Sequence, residues 1–352
     1  MISKVRLLHT HSLRVVSILL LALIVFTNCS DQNGTRRLPR HSGEPGEVLI
    51  VMPENQWEGA IGDSLRAQLQ KFYPQLPQGE PSFSLLQFTS AQMSKMLNVH
   101  RNIIEITIGL DAEGRNKVAY ERDKWSDDQL VFKVYATDEE AFYKLLKTDF
   151  PKIESLINSK EINRTQSNYK KFGNDDLEST VENNYGISLY MPDDFKVAKD
   201  TNNFMWLRRE RVKYMGNTPH DITQGLFIFT YPYTSDSALT EANALAMRDS
   251  ILKMYVPGPK AGTYMTTEYR YPPSTEVIDL NGKYSLLTRG LWKTENYFMG
   301  GPFMSVTTTS QDDRSIISIS GFVFAPKFDK REYIREIESI LRSVKVTGSV
   351  QK

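Results

Sequence analysis

The sequence contains very little cysteine: Cys29 is the only one among 352 residues. A single cysteine cannot form an intramolecular disulfide, so no disulfide framework supports the fold. Stability must come from the packing of apolar side chains. The 40% hydrophobic content of the chain is sufficient for two domains of ordinary size.

The chain also lacks an excess of charge. Its 43 basic residues fall to 40, against 42 acidic residues, once Lys4, Arg6 and Arg14 are removed with the N-terminal signal described below. This balance provides no general electrostatic attraction to nucleic acid or to an anionic membrane surface. We therefore expect no nucleic-acid partner.

Histidine is scarce as well. His41, His100 and His220 are the histidines after Cys29, and none has a second histidine or a cysteine at short spacing. A zinc site is not expected, and each histidine is predicted to lie in a flexible segment or at the surface. Gly300-Gly301-Pro302 lacks the lysine and helix of a phosphate-binding loop, so no cofactor is predicted.

One short motif resembles a catalytic nucleophile motif. Gly62-Asp63-Ser64-Leu65 matches the nucleophile pattern of an esterase and lipase family in which the serine follows a strand, but here it lies in a helical apolar stripe. That family also needs an aspartate three residues before its base histidine, where this chain has Leu38, Leu97 and Asn217. A serine esterase cannot be assembled from these residues, and no catalytic residue is predicted.

Adjacent carboxylates recur along the chain and raise the question of acid–base catalysis or calcium binding. The pairs are Asp127-Asp128, Asp175-Asp176, Asp193-Asp194 and Asp312-Asp313. Neighbouring acids project in different directions and lie at turn-like positions. Turn formation is therefore the favoured interpretation.

An apolar run at residues 15–26 follows a basic start and is followed in turn by Cys29. The run is too short to cross comfortably a hydrocarbon layer of about 30 Å, so residues 1–28 are predicted to be a cleaved lipoprotein signal. Phe26-Thr27-Asn28-Cys29 resembles the lipoprotein processing box, in which the cysteine thiolate accepts a diacylglyceryl group. The alternative is an ordinary secretory signal with an incidental cysteine.

The N-terminal half is predicted to be an α+β domain over residues 47–165. Residues 29–46, which are polar and rich in glycine and proline, predict a flexible lipid-anchored tether before it. The apolar run at residues 47–52 and the alternating pattern at residues 104–110 predict strands. Helices are predicted near residues 61–72 and 138–159.

The C-terminal half is predicted to be a second α+β domain over residues 185–348, after a polar linker at residues 166–184. It opens with a strand at residues 185–191. The strongest local signal is Asn281-Gly282 between two strand-like runs, which predicts a type I′ hairpin. The overall prediction is an α+β chain with two domains, each a mainly antiparallel or mixed sheet with packed helices.

Two helices are predicted in the C-terminal half from apolar residues at helical spacing. The first covers residues 239–255 and carries Ala244, Met247, Ile251 and Met254 on one stripe. The second closes the domain and carries Tyr333, Ile337, Ile340 and Val344.

Two resemblances extend this description. Several short motifs after the signal resemble an uncharacterised Bacteroidota lipoprotein family, which implies location but no activity. The motifs are Gly46-Glu47-Val48-Leu49-Ile50-Val51, Trp57-Glu58-Gly59, Gly62-Asp63, Leu76-Pro77-Gln78, Glu80-Pro81 and Arg101-Asn102-Ile103. Residues 185–346 are similar in layout to the PsbP-like fold, with Met191-Pro192-Asp193-Asp194-Phe195 closing the first strand. That resemblance implies a binding or assembly role.

Aromatic loops are the best indication of a partner-binding surface. Large apolar side chains stand beside turn residues at Tyr231, Tyr233, Tyr297, Phe298 and Phe303, where a polypeptide or glycan could bind. The alternative is that these loops cap the core.

Two further features of the sequence concern the surface. Asp236-Ser237-Ala238 resembles a short O-glycosylation signal of the Bacteroidota envelope, which makes Ser237 a candidate acceptor. Arg208, Arg209, Arg211 and Lys213 form the densest basic run, with a solvated strand face favoured over an anion-binding patch.

The predicted function is that of a non-enzymatic binding or assembly module of the cell envelope. We expect a palmitate-containing lipid anchor at Cys29, an outer-membrane location facing the periplasm or the cell surface, and an envelope protein or glycan as partner. The alternative is an envelope hydrolase whose site is assembled from residues distant in sequence. The sequence does not indicate an oligomeric state.

Overall fold

The computed structural model describes residues 37–201 and 203–351. Within these ranges the chain forms two domains that each combine helices with a sheet, which confirms the predicted α+β class. No helix in the described ranges is long and apolar enough to cross a bilayer. The predicted signal, Cys29 and the first part of the predicted tether lie outside these residues.

The N-terminal domain contains a mixed sheet of five strands. They are β1 (Glu47–Val51), β2 (Ser84–Phe88), β3 (Asn102–Ile108), β4 (Lys117–Arg122) and β5 (Leu130–Ala136). In the order β2-β1-β3-β5-β4, neighbouring strands are parallel except for β4, which runs antiparallel to β5. Parallel neighbours require crossover connections, which explains why helices alternate with the strands.

The helices of this domain cover both faces of the sheet unequally. They are α1 (Glu54–Trp57), α2 (Ala60–Leu69), α3 (Lys95–Asn98), α4 (Glu139–Thr148) and α5 (Phe150–Phe172). On one face α2, α4 and α5 bury the larger core, which includes Ile50, Ile104 and Phe132. On the other face a smaller core contains Leu49 and Ile103. Burial on both faces accounts for the nearly continuous apolar sequence of β1.

The segment predicted to be a linker, residues 166–184, is helical instead. Helix α5 continues to residue 172, and α6 (Asp175–Tyr185) follows. Tyr169 and Val181 are buried, so the polar composition belongs to the exposed sides of amphipathic helices. The strand predicted from residue 185 is reduced to β6 (Ile187–Ser188), because α6 ends only at Gly186, whose φ is 65°.

The C-terminal domain is built on an antiparallel sheet of eight strands. They are β7 (Lys196–Thr201), β8 (Phe204–Met215), β9 (Thr218–Pro232), β10 (Met265–Thr267), β11 (Ser274–Leu280), β12 (Lys283–Thr294), β13 (Tyr297–Thr309) and β14 (Ser315–Phe324). Their order is β10-β12-β13-β14-β9-β8-β7, with β11 also paired to β12. A final strand, β15 (Lys345–Val346), pairs with β6.

The hairpin predicted at Asn281-Gly282 is confirmed. It joins β11 to β12, and Leu280 pairs directly with Lys283. Asn281 and Gly282 both have positive φ, 53° and 91°, as a type I′ turn requires.

Two helices cover the two faces of the C-terminal sheet: α7 (Glu241–Tyr255) and α8 (Arg331–Ser343). Successive residues of β9 alternate between them. Leu226 belongs to the core that also contains Ile337 and Ile340 of α8, which confirms the predicted stripe of the last helix. Phe227 belongs to an aromatic core with Leu252 of α7.

The last residues of the predicted tether, residues 39–46, pack on the N-terminal domain. The backbone N–H of Ser42 donates to Val99 O and the N–H of Arg101 donates to Ser42 O, both at 2.9 Å. The N–H of Asp127 donates to Pro39 O at 2.8 Å. The prediction of a flexible tether is wrong for this segment, because backbone pairing compensates for its lack of large apolar side chains.

Candidate binding site between the domains

A loop of the N-terminal domain crosses to the C-terminal domain and caps its last helix. The Glu80 carboxylate accepts hydrogen bonds from the backbone N–H of Lys330, at 2.8 and 2.9 Å, and of Arg331, at 2.7 Å. The residue that precedes α8 supplies no side-chain cap of its own. The backbone N–H groups at the N-terminus of α8, which have no partner within the helix, thus donate to the buried Glu80 carboxylate of the other domain.

Further hydrogen bonds connect the domains along α8. Arg331 Nη1 donates to Pro81 O at 2.6 Å, and Arg335 Nη2 donates to Ser82 O at 3.1 Å. Nearer the end of the helix, Gln166 Nε2 of α5 donates to Ser339 O at 2.9 Å. The two domains are therefore joined at several points on one helix.

A buried carboxylate, Glu338 of α8, lies at the centre of the interface. It accepts hydrogen bonds from Tyr73 Oη at 2.8 Å, from Arg289 Nη2 at 2.8 Å and from Arg342 Nε at 2.7 Å. Burial by itself raises the pKa of Glu338, but the charges and hydrogen bonds of Arg289 and Arg342 outweigh burial and lower the pKa to about 2. Glu338 is therefore ionised at neutral pH.

The partners of Glu338 are also held in one protonation state. Burial, and then the negative charge of Glu338, raise the pKa of the Tyr73 hydroxyl. Burial by itself lowers the pKa of Arg289, but its contact with Glu338 raises that pKa overall. At neutral pH Tyr73 is therefore neutral, Glu338 is a carboxylate and Arg289 is a guanidinium.

A cavity of about 770 Å³ opens between the domains beside this cluster, and we call it the interdomain cleft. Helices α5 and α8, the hairpin of β11 and β12, and the loop after α2 form its walls. The polar side chains that line it are Ser82, Glu154, Ser155, Asn158, Ser159, Asn163, Gln166, Glu276, Asn281, Arg289, Arg335, Glu338 and Arg342. Ligand sites often occur at domain interfaces of this kind.

The charges in the cleft balance one another, while several uncharged groups have no partner. Its arginines, Arg289, Arg335 and Arg342, are matched in number by Glu154, Glu276 and Glu338. The exposed side chains of Ser155, Ser159 and Asn163 make no hydrogen bond within the described ranges. The groups available to a ligand are therefore mainly hydroxyls and amides.

The pKa values of Glu338 and Tyr73 are both shifted away from neutral pH. A general acid or base needs a pKa near the working pH, whereas the pKa of Glu338 is lowered and that of Tyr73 is raised. No histidine lines the cleft among the residues described. The same residues contain no group of three metal-ligating side chains. Ser64 lies within α2, as the helical interpretation of its motif predicted.

Some residues of the predicted aromatic surface are buried in the structure and others are exposed. Tyr231 and Phe303 lie in the aromatic core, and Phe303 is only 1% exposed, so core packing explains both. Their assignment to a partner surface is wrong. Tyr297 is 46% exposed and Phe298 is fully exposed, at the start of β13.

Tyr233 and Ser237 lie together near the start of α7. Tyr233 Oη donates to Asp236 Oδ1 at 2.6 Å, and Ser237 Oγ lies 2.8 Å from Ser235 Oγ. Ser237 is exposed, in a 3₁₀ turn at Asp236–Leu239. Its glycosylation stays a prediction.

The basic run of β8 separates into two faces. Arg209 Nη1 and Arg211 Nη2 both contact Glu336 of α8, at 3.2 and 2.9 Å. Arg208 belongs to the opposite face and pairs with exposed Glu210. Lys213 is exposed. The charges of Arg209 and Arg211 are thus neutralised within the protein, which argues against a continuous anion-binding patch.

The histidines differ from their prediction as surface residues. His100 is 4% exposed, and its Nδ1 lies 3.1 Å from Asn102 O. His41 is half-buried, and burial, followed by the charges of Arg101 and Arg164, lowers its pKa to about 4. The prediction of surface positions for His41 and His100 was wrong because the segment at residues 39–46 packs on the N-terminal domain instead of extending from it.

The residues of the interdomain cleft had not been predicted as a site. Tyr73, Arg289 and Glu338 lie far apart in sequence, and no local spacing connects them. Glu80 belongs to a motif that resembles the lipoprotein family, but that resemblance implies no role for it. Their association depends on how the domains pack.

Each half of the chain matches a protein-family model. Residues 41–170 match a family described as Domain of unknown function (DUF8532), and residues 174–343 match Domain of unknown function (DUF4837). The first match ends and the second begins at the junction of α5 and α6. No curated protein matches the chain.

Several solved structures are similar to less than half of this chain. They include the Saccharomyces cerevisiae Ran-binding protein Mog1p, with 8% identity and a TM-score of 0.31 over 46% of this chain and 91% of Mog1p. LpqN, involved in cell envelope biogenesis of Mycobacterium tuberculosis, has 16% identity and a TM-score of 0.27 over 46% of this chain and 83% of LpqN. A Pseudomonas aeruginosa protein of unknown function, PA94, has 12% identity and a TM-score of 0.25 over 45% of this chain and 94% of its own.

The PsbP-like layout of residues 185–346 stays a prediction. The two family matches together cover most of the chain, which is consistent with an uncharacterised family.

Proposed function

We propose that this protein is a lipid-anchored binding or assembly module of the cell envelope whose interdomain cleft binds an uncharged, polyhydroxylated ligand such as a segment of glycan. One observation carries the proposal: arginines and glutamates of the cleft are equal in number, Arg289 and Arg342 pair with Glu276 and Glu338, and the exposed side chains of Ser155, Ser159 and Asn163 make no hydrogen bond within the described residues.

The chemistry of the open groups matches that of a sugar. Hydroxyl and amide side chains both donate and accept hydrogen bonds, as sugar hydroxyls do. A strongly anionic ligand would meet Glu154 and Glu276 as well as the arginines. An uncharged ligand avoids that repulsion and leaves the existing ion pairs intact.

The cleft is also held in place before any ligand binds. Glu80 and Tyr73 connect the N-terminal domain to α8, which forms one wall of the cleft. A preformed site loses less conformational entropy on binding than a site that must assemble. The interface of the two domains is therefore suited to binding.

The proposed anchor is the diacylglyceryl group on Cys29, in a lipoprotein of the kind found in Bacteroidota. Because Pro39 already pairs with the N-terminal domain, the chain from residue 29 to residue 39 can span at most about 35 Å. The contact of Pro39 with the N-terminal domain would therefore remain close to the membrane. Replacement of Cys29 by serine should release the protein from the membrane fraction, and its retention there would contradict the anchor.

The ligand can be tested with the mature protein on an array of neutral and acidic oligosaccharides, followed by calorimetry. We expect binding to neutral glycans and at least tenfold weaker binding by Asn163→Ala. Asn168→Ala is the matched control, because Asn168 is an exposed asparagine of the same helix outside the cleft. Absence of binding to every glycan, or equal affinities of the two variants, would rule out the proposed site.

A further inference from the structure

A second cavity, of about 560 Å³, lies in the C-terminal domain beside the turn between β13 and β14, and we call it the tyrosine pocket. The loop after β9, the start of β12, the end of β13 and the turn before β14 supply its walls. The loop is held against the turn because the backbone N–H of Tyr233 donates to Arg314 O at 2.9 Å. The walls of the pocket are thus connected by backbone pairing.

Two tyrosine rings line the tyrosine pocket, and one of them is largely open to solvent. Tyr284 is 55% exposed, and its hydroxyl makes no hydrogen bond within the described ranges. Tyr233 is partly buried, and Leu239 adds an aliphatic side chain to the lining. The face of a tyrosine ring attracts a cation through the quadrupole of the ring. The two rings therefore suit a ligand that is both apolar at its surface and positively charged.

The charged groups of the tyrosine pocket leave one carboxylate without a cation. Lys283 Nζ lies 3.2 Å from Asp313 Oδ1, so these two charges neutralise each other. Asp236 is exposed and lines the pocket; it accepts a hydrogen bond from the Tyr233 hydroxyl at 2.6 Å but has no ion-pair partner among the described residues. The pKa of Tyr233 is raised by this hydrogen bond, and then by burial and by the charges of Asp236 and Asp313. The pocket therefore carries a net negative charge.

The lining groups suit a methylated ammonium better than a primary ammonium. A primary ammonium donates up to three hydrogen bonds, whereas Asp236 is the one carboxylate of the pocket that does not already receive an ammonium. A methylated ammonium needs no set of acceptors, and its methyl groups pack against aromatic rings. The two rings and Asp236 meet these requirements.

We propose that the tyrosine pocket binds an organic cation with a methylated ammonium group, which lies against the rings of Tyr233 and Tyr284 and is balanced by the charge of Asp236. This site is separate from the interdomain cleft. The two cavities share no lining residue.

The proposal can be tested by nuclear magnetic resonance on the intact mature protein with ¹⁵N-labelled tyrosine, in which single substitutions to phenylalanine assign the backbone signals. Addition of choline should shift the Tyr233 and Tyr284 signals saturably and leave the signal of Tyr120, an exposed tyrosine of the N-terminal domain, unchanged. Two matched probes identify the feature that is recognised. 3,3-Dimethyl-1-butanol, which has the shape of choline without its charge, and ethanolamine, which has a primary ammonium, should each bind at least tenfold more weakly.

Paired variants, followed on the Tyr233 signal, separate the contributions of the ring and of the charge. Tyr284→Leu should weaken choline binding at least fivefold, whereas Tyr284→Phe should not weaken it, because the Tyr284 hydroxyl makes no contact that the proposal uses. Asp236→Asn should also weaken binding at least fivefold. Asp221→Asn, which removes the same charge from an exposed aspartate at the opposite end of β9, should not.

Thermal unfolding of each variant checks that it is folded. The proposal is overturned if choline leaves the Tyr233 and Tyr284 signals in place, if either matched probe binds as tightly as choline, or if Tyr284→Leu and Asp236→Asn bind choline like the unmodified protein. Asn163→Ala, which tests the interdomain cleft, should leave choline binding intact.

Discussion

Among single residues, Glu338 shows how a buried charge depends on its partners. Removing a carboxylate from water is costly, and at Glu338 this cost is offset by two arginines and a tyrosine hydroxyl. Arg289 is itself mostly enclosed, with its side chain 16% exposed. Loss of the carboxylate would therefore leave a positive charge in the interface without its closest partner.

Replacement of Glu338 by glutamine tests this dependence. We expect the free energy of unfolding to fall by about 3–5 kcal/mol, the range for breaking a buried ion pair from one side. Urea unfolding measures the loss. Glu336→Gln is the control, because its pairs with Arg209 and Arg211 are partly exposed, and it should lose about 1 kcal/mol or less. Equal losses would show that Glu338 contributes no more than a surface ion pair.

The pKa of His41 predicts how stability depends on pH. It is lowered from an ordinary value of 6.5 to about 4 in the folded protein, first by burial and then by Arg101 and Arg164. Between these values the unfolded chain binds the proton more readily, so the contribution of His41 is complete above pH 6.5 and is lost as the pH falls towards 4. The free energy of unfolding of His41→Asn should depend less on pH between 6.5 and 4 than that of the unmodified protein. Urea unfolding at pH 7, 5.5 and 4 measures this dependence.

Glu338 affects stability at a lower pH than His41 does, so the two contributions can be measured separately. Its pKa is lowered from 4.5 to about 2, so its contribution is complete above pH 4.5 and is lost as the pH falls through 2. If the free energy of unfolding of His41→Asn depended on pH between 7 and 4 as strongly as that of the unmodified protein, the burial of His41 could not be the cause of that dependence.

Among the elements, α8 depends on the other domain for its N-terminal cap. A carboxylate at a helix N-terminus satisfies free N–H groups and interacts favourably with the helix dipole. Glu80 provides both effects across 250 residues of sequence. The start of α8 and the loop after α2 should therefore be stabilised together.

Replacement of Glu80 by alanine tests the cap. The expected loss of stability is about 1–2 kcal/mol, as for other N-cap residues, with faster hydrogen exchange of the Lys330 and Arg331 amides. Glu54→Ala, at an exposed glutamate of α1, should have neither effect. Unchanged exchange at Lys330 and Arg331 would contradict the role of Glu80.

Helix α7 shows a different dependence on tertiary structure. Its predicted stripe included Met254, which is 68% exposed, while Arg248 is completely enclosed. The Arg248 guanidinium lies 3.7 Å from the centre of the Phe303 ring, and its Nε and Nη1 donate to Ser320 and Thr267. A charged residue can thus replace an apolar one on the buried face when the sheet supplies acceptors and an aromatic ring.

For the whole molecule, the contacts along α8 predict that the two domains unfold together. An interface of buried hydrogen bonds and ion pairs couples the stability of one domain to that of the other. Scanning calorimetry of the mature protein should show one transition. The double variant Glu80→Ala, Tyr73→Phe should broaden or divide it. Two separate transitions in the unmodified protein would show that the interface is weak.

The exposed aromatic residues at the start of β13 remain a predicted partner surface, which substitution of Phe298 can test. Phe298→Ser should change the free energy of unfolding by less than about 0.5 kcal/mol, as is usual for surface substitutions, but should remove envelope partners captured by proximity labelling. Leu110→Ser, at an exposed apolar residue of the N-terminal domain, is the control. If Phe298→Ser changes the set of labelled proteins and Leu110→Ser does not, the start of β13 is a partner surface. If both variants label the same proteins as the unmodified chain, it is not.

The sequence by itself determined the features that depend on neighbouring residues. Asn281 and Gly282 specified their turn because both tolerate positive φ. The stripe of Ile337 and Ile340 specified the buried side of α8, since residues three or four apart share one face of a helix. The α+β class follows from such local patterns of strands and helices.

Only the tertiary structure decided which distant residues meet. The cap of α8 by Glu80, the cluster around Glu338 and the burial of His100 all depend on contacts between separate elements. A polar residue has the same local pattern whether its partner is water or a buried charge. The sequence therefore determined the elements of this protein, whereas packing determined the interdomain cleft.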